Sequence, residues 1–301
     1  MTNRYGVIDL GTNTFHLLIS EQEEDGNLKE LYRERLFVRL GEDGIETIGD
    51  APFQRGLEAI QRFKGILEKY KVVKTNAFGT AALRTASNGL ELISRINDET
   101  GILVKLIQGN EEARLIHLGV TQAVSLNEEN GLIMDIGGGS VEFIVANKQG
   151  VIWAQSFPIG VSVLFREFHD SDPISLAEIN TIEKHLESSL QPLFEVLKSN
   201  DTPLLIGASG TFDVLDMLLS KQRISSIHSI VEVHDFFPLF DQFLKSTLQE
   251  RLQMEKLPES RAELIIVALI LINLVLQKAN IKRIAVSAYA MKEGILREMI
   301  N

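Results

Sequence analysis

The sequence predicts an α/β protein of two domains built on one duplicated plan, and three observations lead there. Residues 7–14, VIDLGTNT, and residues 133–140, IMDIGGGS, are two copies of the same strand ending: an apolar run, an Asp, an apolar residue, Gly, two small residues and a hydroxyl. Each copy opens a half whose first strand-like runs come before helices. A chain of 301 residues is longer than one hydrophobic core usually serves and suits two domains of roughly 150.

In chain order, residues 5–10, 15–20 and 28–38 are rich in β-branched, aromatic or Leu residues, are separated by Gly, Asn or Asp, and read as three strands. Phe53, Leu57, Ile60, Phe63, Ile66, Leu67 and Tyr70 then recur at helical spacing, with Pro52 at the start. A strand at 74–79, a helix at 87–100, a strand at 102–107 and a helix at 110–125 complete the first half. The polar run NEENG at 127–131 reads as the boundary, dividing the chain into domains 1–126 and 127–301. Strands at 131–136, 141–147 and 150–157 open the second domain. Helices at 175–199, 211–220, 237–250, 259–279 and 289–300 and buried strands at 203–207 and 282–287 follow. Helix is expected to replace strand in much of this half, and the last helix to pack back on the first domain. The segment LIIVALILINLVL at 264–276 is apolar around most of its circumference and reads as a core helix, being short for a bilayer span.

A duplicated βββαβαβ unit is the architecture of the actin, sugar-kinase and heat-shock ATPase superfold. The fold expected is therefore two actin-like, ribonuclease H-like domains facing an interdomain cleft. The repeat then has a physical purpose. A Gly-rich turn between strands presents N–H groups with no Cβ in the way, so two copies can clamp one phosphate chain from both sides. Taken singly, either turn is only a β-turn joining strands. Neither is a Walker A loop, because GKS or GKT is missing, and neither is GxGxxG opening a helix.

Composition bounds the ligand. With 45% hydrophobic and 24% charged residues the chain is near globular averages. A net charge of -11 argues against nucleic-acid binding, so an anion must be held locally by backbone N–H groups, a metal or a few placed cations. The absence of Cys excludes disulfides and thiolate metal sites and fits a reducing cytoplasm. The first residues, MTNRYGVIDL, carry no signal-peptide pattern. A cytoplasmic protein without a membrane partner is the expectation.

Asp9 and Asp135 need a further component. A carboxylate beside a phosphate repels it by several kcal/mol at 4 Å with an effective dielectric near 20, and a divalent ion, Mg2+, placed between them would resolve this. The alternative is an Asp bonded to the N–H groups of its own turn. Glu142, seven residues after Asp135 and past the turn, can face the same volume, or can lie on the solvent face of an ordinary strand; His16 holds its place in the first copy. In QGNEEAR at 108–114, Asn110 reads as an N-cap and Glu111 and Glu112 as first-turn acids, common without any catalytic role. Arg84 precedes a helix where Ser87 and Asn88 can cap or meet an anion, or it is a plain surface Arg. IGASGT at 206–211 is a third small-residue turn, placing Ser209, Gly210 and Thr211 at a helix N-terminus suited to an anion or nucleotide.

These blocks resemble the exopolyphosphatase and guanosine pentaphosphate phosphohydrolase (Ppx/GppA) family of the actin-like superfold. The similarity lies in VIDLGTNTFHLLI, TAALRTASN, GNEEARLIHLGV, MDIGGGSVEF, IGASGT, LPESRAELI and VSAYAMKEGIL, in family order over essentially the whole chain. The resemblance implies that Glu112 is the catalytic base orienting the attacking water, and that Asp135 and Glu142 organise metal and water. It also implies that Arg84 and Arg261 line the phosphate path. Thr12, Asn13 and Thr14, with Gly137, Gly138, Gly139 and Ser140, match the two phosphate loops. The chain departs from the family pattern at Val267-Ala268, where Pro-Gly is common, and at Ala290 and Lys292, where Gly and Arg are usual. An added Cβ at a close-approach Gly narrows the room for a base or ribose.

The activity expected is metal-dependent removal of the terminal phosphate of linear polyphosphate, with a guanosine pentaphosphate alarmone as the second candidate substrate. A homodimer is the candidate assembly. Two rivals are an ATP-dependent kinase of the same superfold, for which no acceptor insertion stands out, and a phosphate or alarmone sensor without turnover, which has no use for a water-activating base.

Overall fold

Strands β1 (Arg4–Leu10), β2 (Thr14–Gln22) and β3 (Leu28–Phe37) form an antiparallel meander at the start of the computed structural model, which describes residues 3–24 and 26–300. The outer ends of the two expected domains, residues 1–2 and 301, lie outside these. Helix α1 (Asp50–Lys69), with Pro52 in its first turn, leads to β4 (Lys74–Gly79), the short α2 (Ala81–Thr85), α3 (Gly89–Thr100), β5 (Val104–Leu106) and α4 (Gly109–Ala123). β4 and β5 join parallel, giving a sheet of order β3-β2-β1-β4-β5.

The second sheet opens with another antiparallel meander, β6 (Gly131–Ile136), β7 (Val141–Asn147) and β8 (Gly150–Phe157). Then come α5 (Val161–Phe168), α6 (Leu176–Ser189), α7 (Gln191–Ser199), β9 (Leu204–Ala208) and α8 (Gly210–Leu219). A hairpin of β10 (Gln222–Ser225) and β11 (His228–Val231) precedes α9 (Val233–Lys245), α10 (Leu248–Leu252) and α11 (Glu259–Ala262). The chain ends with α12 (Ile265–Lys278), β12 (Arg283–Ser287) and α13 (Met291–Ile300). The sheet order is β10-β11-β12-β9-β6-β7-β8. Without the β10–β11 hairpin, its order β8-β7-β6-β9-β12 repeats that of the first sheet. The fold is thus the actin-like duplication.

Several local expectations differ. Strand is not replaced in the second half, whose sheet has two strands more than the first; QRIS and HSIV are too short and too polar to announce a hairpin. The expected helices 175–199, 237–250 and 259–279 are each broken. Pro192 sits in the first turn of α7, and Thr247 with Glu250 forms a capping box that starts α10. Apolar periodicity runs on through such breaks, so spacing alone does not register them. α2 and α5 were not anticipated.

α12 is buried at every position from Ile265 to Leu276 and packs against α5, α6 and α9. A helix apolar on all sides can be stable only in such surroundings. Val267 and Ala268, one of the departures from the family pattern, lie inside this core, away from the cleft. Among the described residues no helix is long and apolar enough to cross a membrane.

α4 and α13 form the seam between the sheets. Their apolar faces share one cluster with Val7 and Leu18 of the first sheet and with Ile133, Ile144, Ile206 and Ala285 of the second. Gly119 and Gly294 let the two helices touch: a Cβ at Gly119 would lie 1.8 Å from the Ala290 carbonyl oxygen, and one at Gly294 would lie 1.9 Å from that of Leu115. The obstacle is backbone, which cannot swing aside. Gly119→Ala is therefore expected to lower stability by about 1–3 kcal/mol, the usual effect of overpacking, read as a drop in melting temperature, whereas Gly65→Ala on the open face of α1 should not.

Candidate active site

The two repeated turns meet across one cavity of about 650 Å³. In the first, Gly11 N–H donates to the Thr14 carbonyl at 3.1 Å; in the second, Gly137 N–H donates to the Ser140 carbonyl at 3.0 Å. The geometry is the same because the residue pattern is the same. The turns also touch. A Cβ on Gly138 would come within 2.8 Å of Asn13 Nδ2, and one on Gly139 within 2.7 Å of Thr12 Oγ1. Ser162, at the start of α5, donates to Asn13 Oδ1 at 2.8 Å and ties the halves together.

Strand register brings the acids face to face. Asp135 lies directly opposite Glu142 on β6–β7, and Asp9 directly opposite His16 on β1–β2. Directly opposed residues share a sheet face, so both pairs project to one side. All three carboxylates line the cavity. Burial raises Asp9 to about 7, against the lowering field of Lys292; burial likewise raises Asp135 to about 6, with a Ser209 hydroxyl bond acting the other way. Burial first, then the Asp135 charge, raises Glu142 to about 7. Its Oε1 accepts from Ser140 Oγ at 2.7 Å and Ser156 Oγ at 2.6 Å. Burial holds His16 well below its ordinary range, so it stands neutral beside Asp9.

Glu112 enters from the first turn of α4. Neighbouring Glu111 points outward and pairs with Arg114 at 2.8 Å, as a first-turn acid commonly does. One residue on, the helix turns Glu112 inward. It is 8% exposed, and its Oε2 lacks a hydrogen-bond partner among the described residues. Arg84 Nη1 stands 3.5 Å from that oxygen, near enough to attract it, while bonded instead to the Ile107 carbonyl at 2.5 Å. Burial, then repulsion from Glu142, pushes the Glu112 carboxyl well above the usual range. The N-cap of α4 is Gln108; Asn110, expected there, lies within the first turn and accepts from Glu111 N–H at 2.8 Å. Ser87 hydrogen-bonds to Thr47 and Asn88 to the backbone of Ile48.

Of the residues singled out from sequence, Asp9, Thr12, Asn13, Thr14, Glu112, Asp135, Gly137, Gly138, Gly139, Ser140, Glu142, Ser209, Gly210 and Arg261 line this cavity. Arg84 lines a second one behind it, and Thr211 is buried and lines neither. Ser209 has φ 69°, a left-handed conformation strained for a residue with a side chain, and its hydroxyl bonds Asp135. Arg261 lies against Gly210, where a Cβ would be 2.0 Å from its Nη2, and over the Phe37 ring at 5.6 Å. Sequence reasoning missed Arg33, Arg35 and Asp213, which also line the cavity. It noted Lys292 only as a departure. Lys292 lies in the first turn of α13, and its charge opposes the burial that raises Asp9, a placement made by the last helix crossing to the cleft.

The donor set fits a divalent ion. Two buried carboxylates directly opposed across strands repel each other, and every candidate ligand is a hard oxygen. Among the described residues no three acidic, His or Cys side chains gather closely enough to hold an ion alone. Mg2+ binding through one or two carboxylates, completed by water and phosphate oxygens, matches that arrangement.

A cleft between duplicated lobes, with a phosphate-type turn from each and carboxylates between them, defines a protein of the actin-like fold equipped to handle a phosphorylated ligand. The pattern of the Ppx/GppA phosphatase family matches residues 18–301, and the chain belongs to that family. Among solved structures, an exopolyphosphatase from Cytophaga hutchinsonii is 39% identical with a TM-score of 0.95, covering 99% of this chain and 98% of that one. A Ppx/GppA family member from Aquifex aeolicus is 22% identical with a TM-score of 0.82, covering 100% and 98%, and shares the fold. The chain is accordingly a phosphatase-family hydrolase.

Proposed function

We propose that this hydrolase removes the terminal phosphate of linear inorganic polyphosphate in a Mg2+-dependent reaction. The observation that carries the reading is the unpartnered, buried Glu112 Oε2 between Arg84 and the two facing turns. A buried carboxylate with a raised pKa and a free oxygen is suited to take a proton from water. As the water oxygen bonds to the terminal phosphorus, Glu112 accepts its proton. The bridging P–O bond breaks, and its electron pair leaves on the terminal oxygen of the shortened chain. The proton on Glu112 then passes to a phosphate oxygen, restoring the base.

The N–H groups of Thr12–Thr14 and Gly138–Ser140 orient the chain, and Arg84 and Arg261 offset its charge. Mg2+, held by one or two of the carboxylates Asp135, Glu142 and Asp9 and completed by water and phosphate oxygens, would neutralise phosphate charge and orient the group that is transferred. Ala290 lines the cavity where the family usually has Gly, narrowing room for a nucleoside and favouring the inorganic chain.

The test is inorganic phosphate release from long-chain polyphosphate and from guanosine pentaphosphate, with Mg2+ present and then chelated. Metal-dependent release, faster from polyphosphate, is expected. Faster release from the nucleotide would make the alarmone the substrate. Binding without release from either would make the protein a sensor.

A further inference from the structure

A second cavity, of about 490 Å³, lies behind the second turn. It shares Ala81, Gly139 and Ser140 with the main cavity, so the two have a common wall. Two side-chain contacts cross between the linings. Glu112 and Glu142 face the main cavity; Arg84 and Ser156, which contact them, line the second. The second cavity therefore begins where the terminal phosphate would be cleaved.

The linings differ in charge. The main cavity carries Asp9, Glu30, Glu34, Asp213 and the three acids of the reaction centre against the cations Arg33, Arg35, Arg261 and Lys292, whereas among the described residues no acidic residue lines the second. Among the described residues its one cation is Arg84, and the N-terminus of the 15-residue α4 opens on it through Gly109 and Asn110. Its volume equals roughly sixteen waters of liquid, at about 30 Å³ each. A hydrated phosphate can occupy it.

A linear polymer poses a problem for its own product. Once the end unit is cut, the remaining chain fills the way it came in, and phosphate can leave ahead of the chain only by a second opening. We propose that the second cavity is the exit for inorganic phosphate, with Arg84 as the side chain that hands the anion through, so that the shortened chain stays bound for the next cut. This rests on polyphosphate hydrolysis as proposed above.

The experiment uses the full chain and the variants Ala154→Trp and Thr85→Trp. Both residues are exposed, line the second cavity and lie outside the reaction centre. Phosphate formed is measured by acid quench in a single turnover, and phosphate released is followed with a fluorescent phosphate-binding sensor. Formation in the first turnover should stay within about twofold of the parent, which also reports intact folding, while steady release should fall about tenfold or more as exit becomes limiting. Added inorganic phosphate should inhibit the parent noncompetitively against polyphosphate. Release keeping pace with formation in both variants would overturn the proposal. So would a raised KM for polyphosphate with unchanged kcat, which would put the chain itself in this cavity, or inhibition by phosphate that is competitive. Failure of the parent to form phosphate from polyphosphate would instead remove the substrate reading on which the proposal rests.

Discussion

Glu112→Gln is expected to lower kcat for phosphate release by about 10²–10⁴-fold, the span of a lost general base, with KM for polyphosphate little changed. The amide keeps the shape of the side chain and cannot take a proton. Retained binding follows because the chain is held by the turns and the arginines rather than by an acid that repels it. The parent should also show an acid limb. Burial and Glu142 raise the Glu112 carboxyl well above its ordinary value, so the ionised base, and turnover with it, accumulates only at a pH above the usual carboxylate range. A Glu112→Gln enzyme as fast as the parent would remove Glu112 from the role of base.

Asp9→Asn and Asp135→Asn should each stabilise the metal-free protein while abolishing most hydrolysis. Asp9 rises from 3.8 to about 7 on folding and Asp135 from 3.8 to about 6. Between these values the folded chain holds protons that the unfolded chain has released. Stability from this source is therefore greatest below about 3.8 and declines as pH rises through 6 to 7. The loss is on the order of a few kcal/mol for each group. In chelator, the parent should melt lower at pH 8 than at pH 5, and either Asn variant should melt about 5 °C or more above the parent at pH 8. Added Mg2+ should raise the parent at pH 8 more than Asp135→Asn. A parent melting temperature flat from pH 5 to pH 8 would mean that these carboxylates carry no burial penalty. Sites that trade stability for chemistry in this way are common in enzymes.

Much of this was legible from local pattern. The two strand endings announced the duplication because hairpin turns packed as closely as these need Gly at fixed offsets, and offsets survive in sequence. The seven-position step from Asp135 to Glu142 placed them on one side, since a tight hairpin returns the chain with a set register. Glu111 and Glu112 could not be told apart by spacing. Both suit a helix N-terminus, and only the packing of α4 between the sheets sends Glu111 to Arg114 in solvent and Glu112 to the cleft. The β10–β11 hairpin stayed hidden because its strands QRIS and HSIV are short and polar, and the breaks in the helices because turn chemistry there is carried by single residues within a continuing apolar rhythm.

Sequence by itself determined the repeat, its Gly-bearing turns and the acids beside them, because each depends on short-range stereochemistry. Tertiary structure alone decided that Lys292, Arg33 and Arg35 join the cleft, that Thr211 does not line it, and that Arg84 stands behind it. Those placements follow from the seam of α4 and α13, where Gly119 and Gly294 bring residues far apart in the chain into backbone contact, and no local rule encodes which distant charges such a contact gathers.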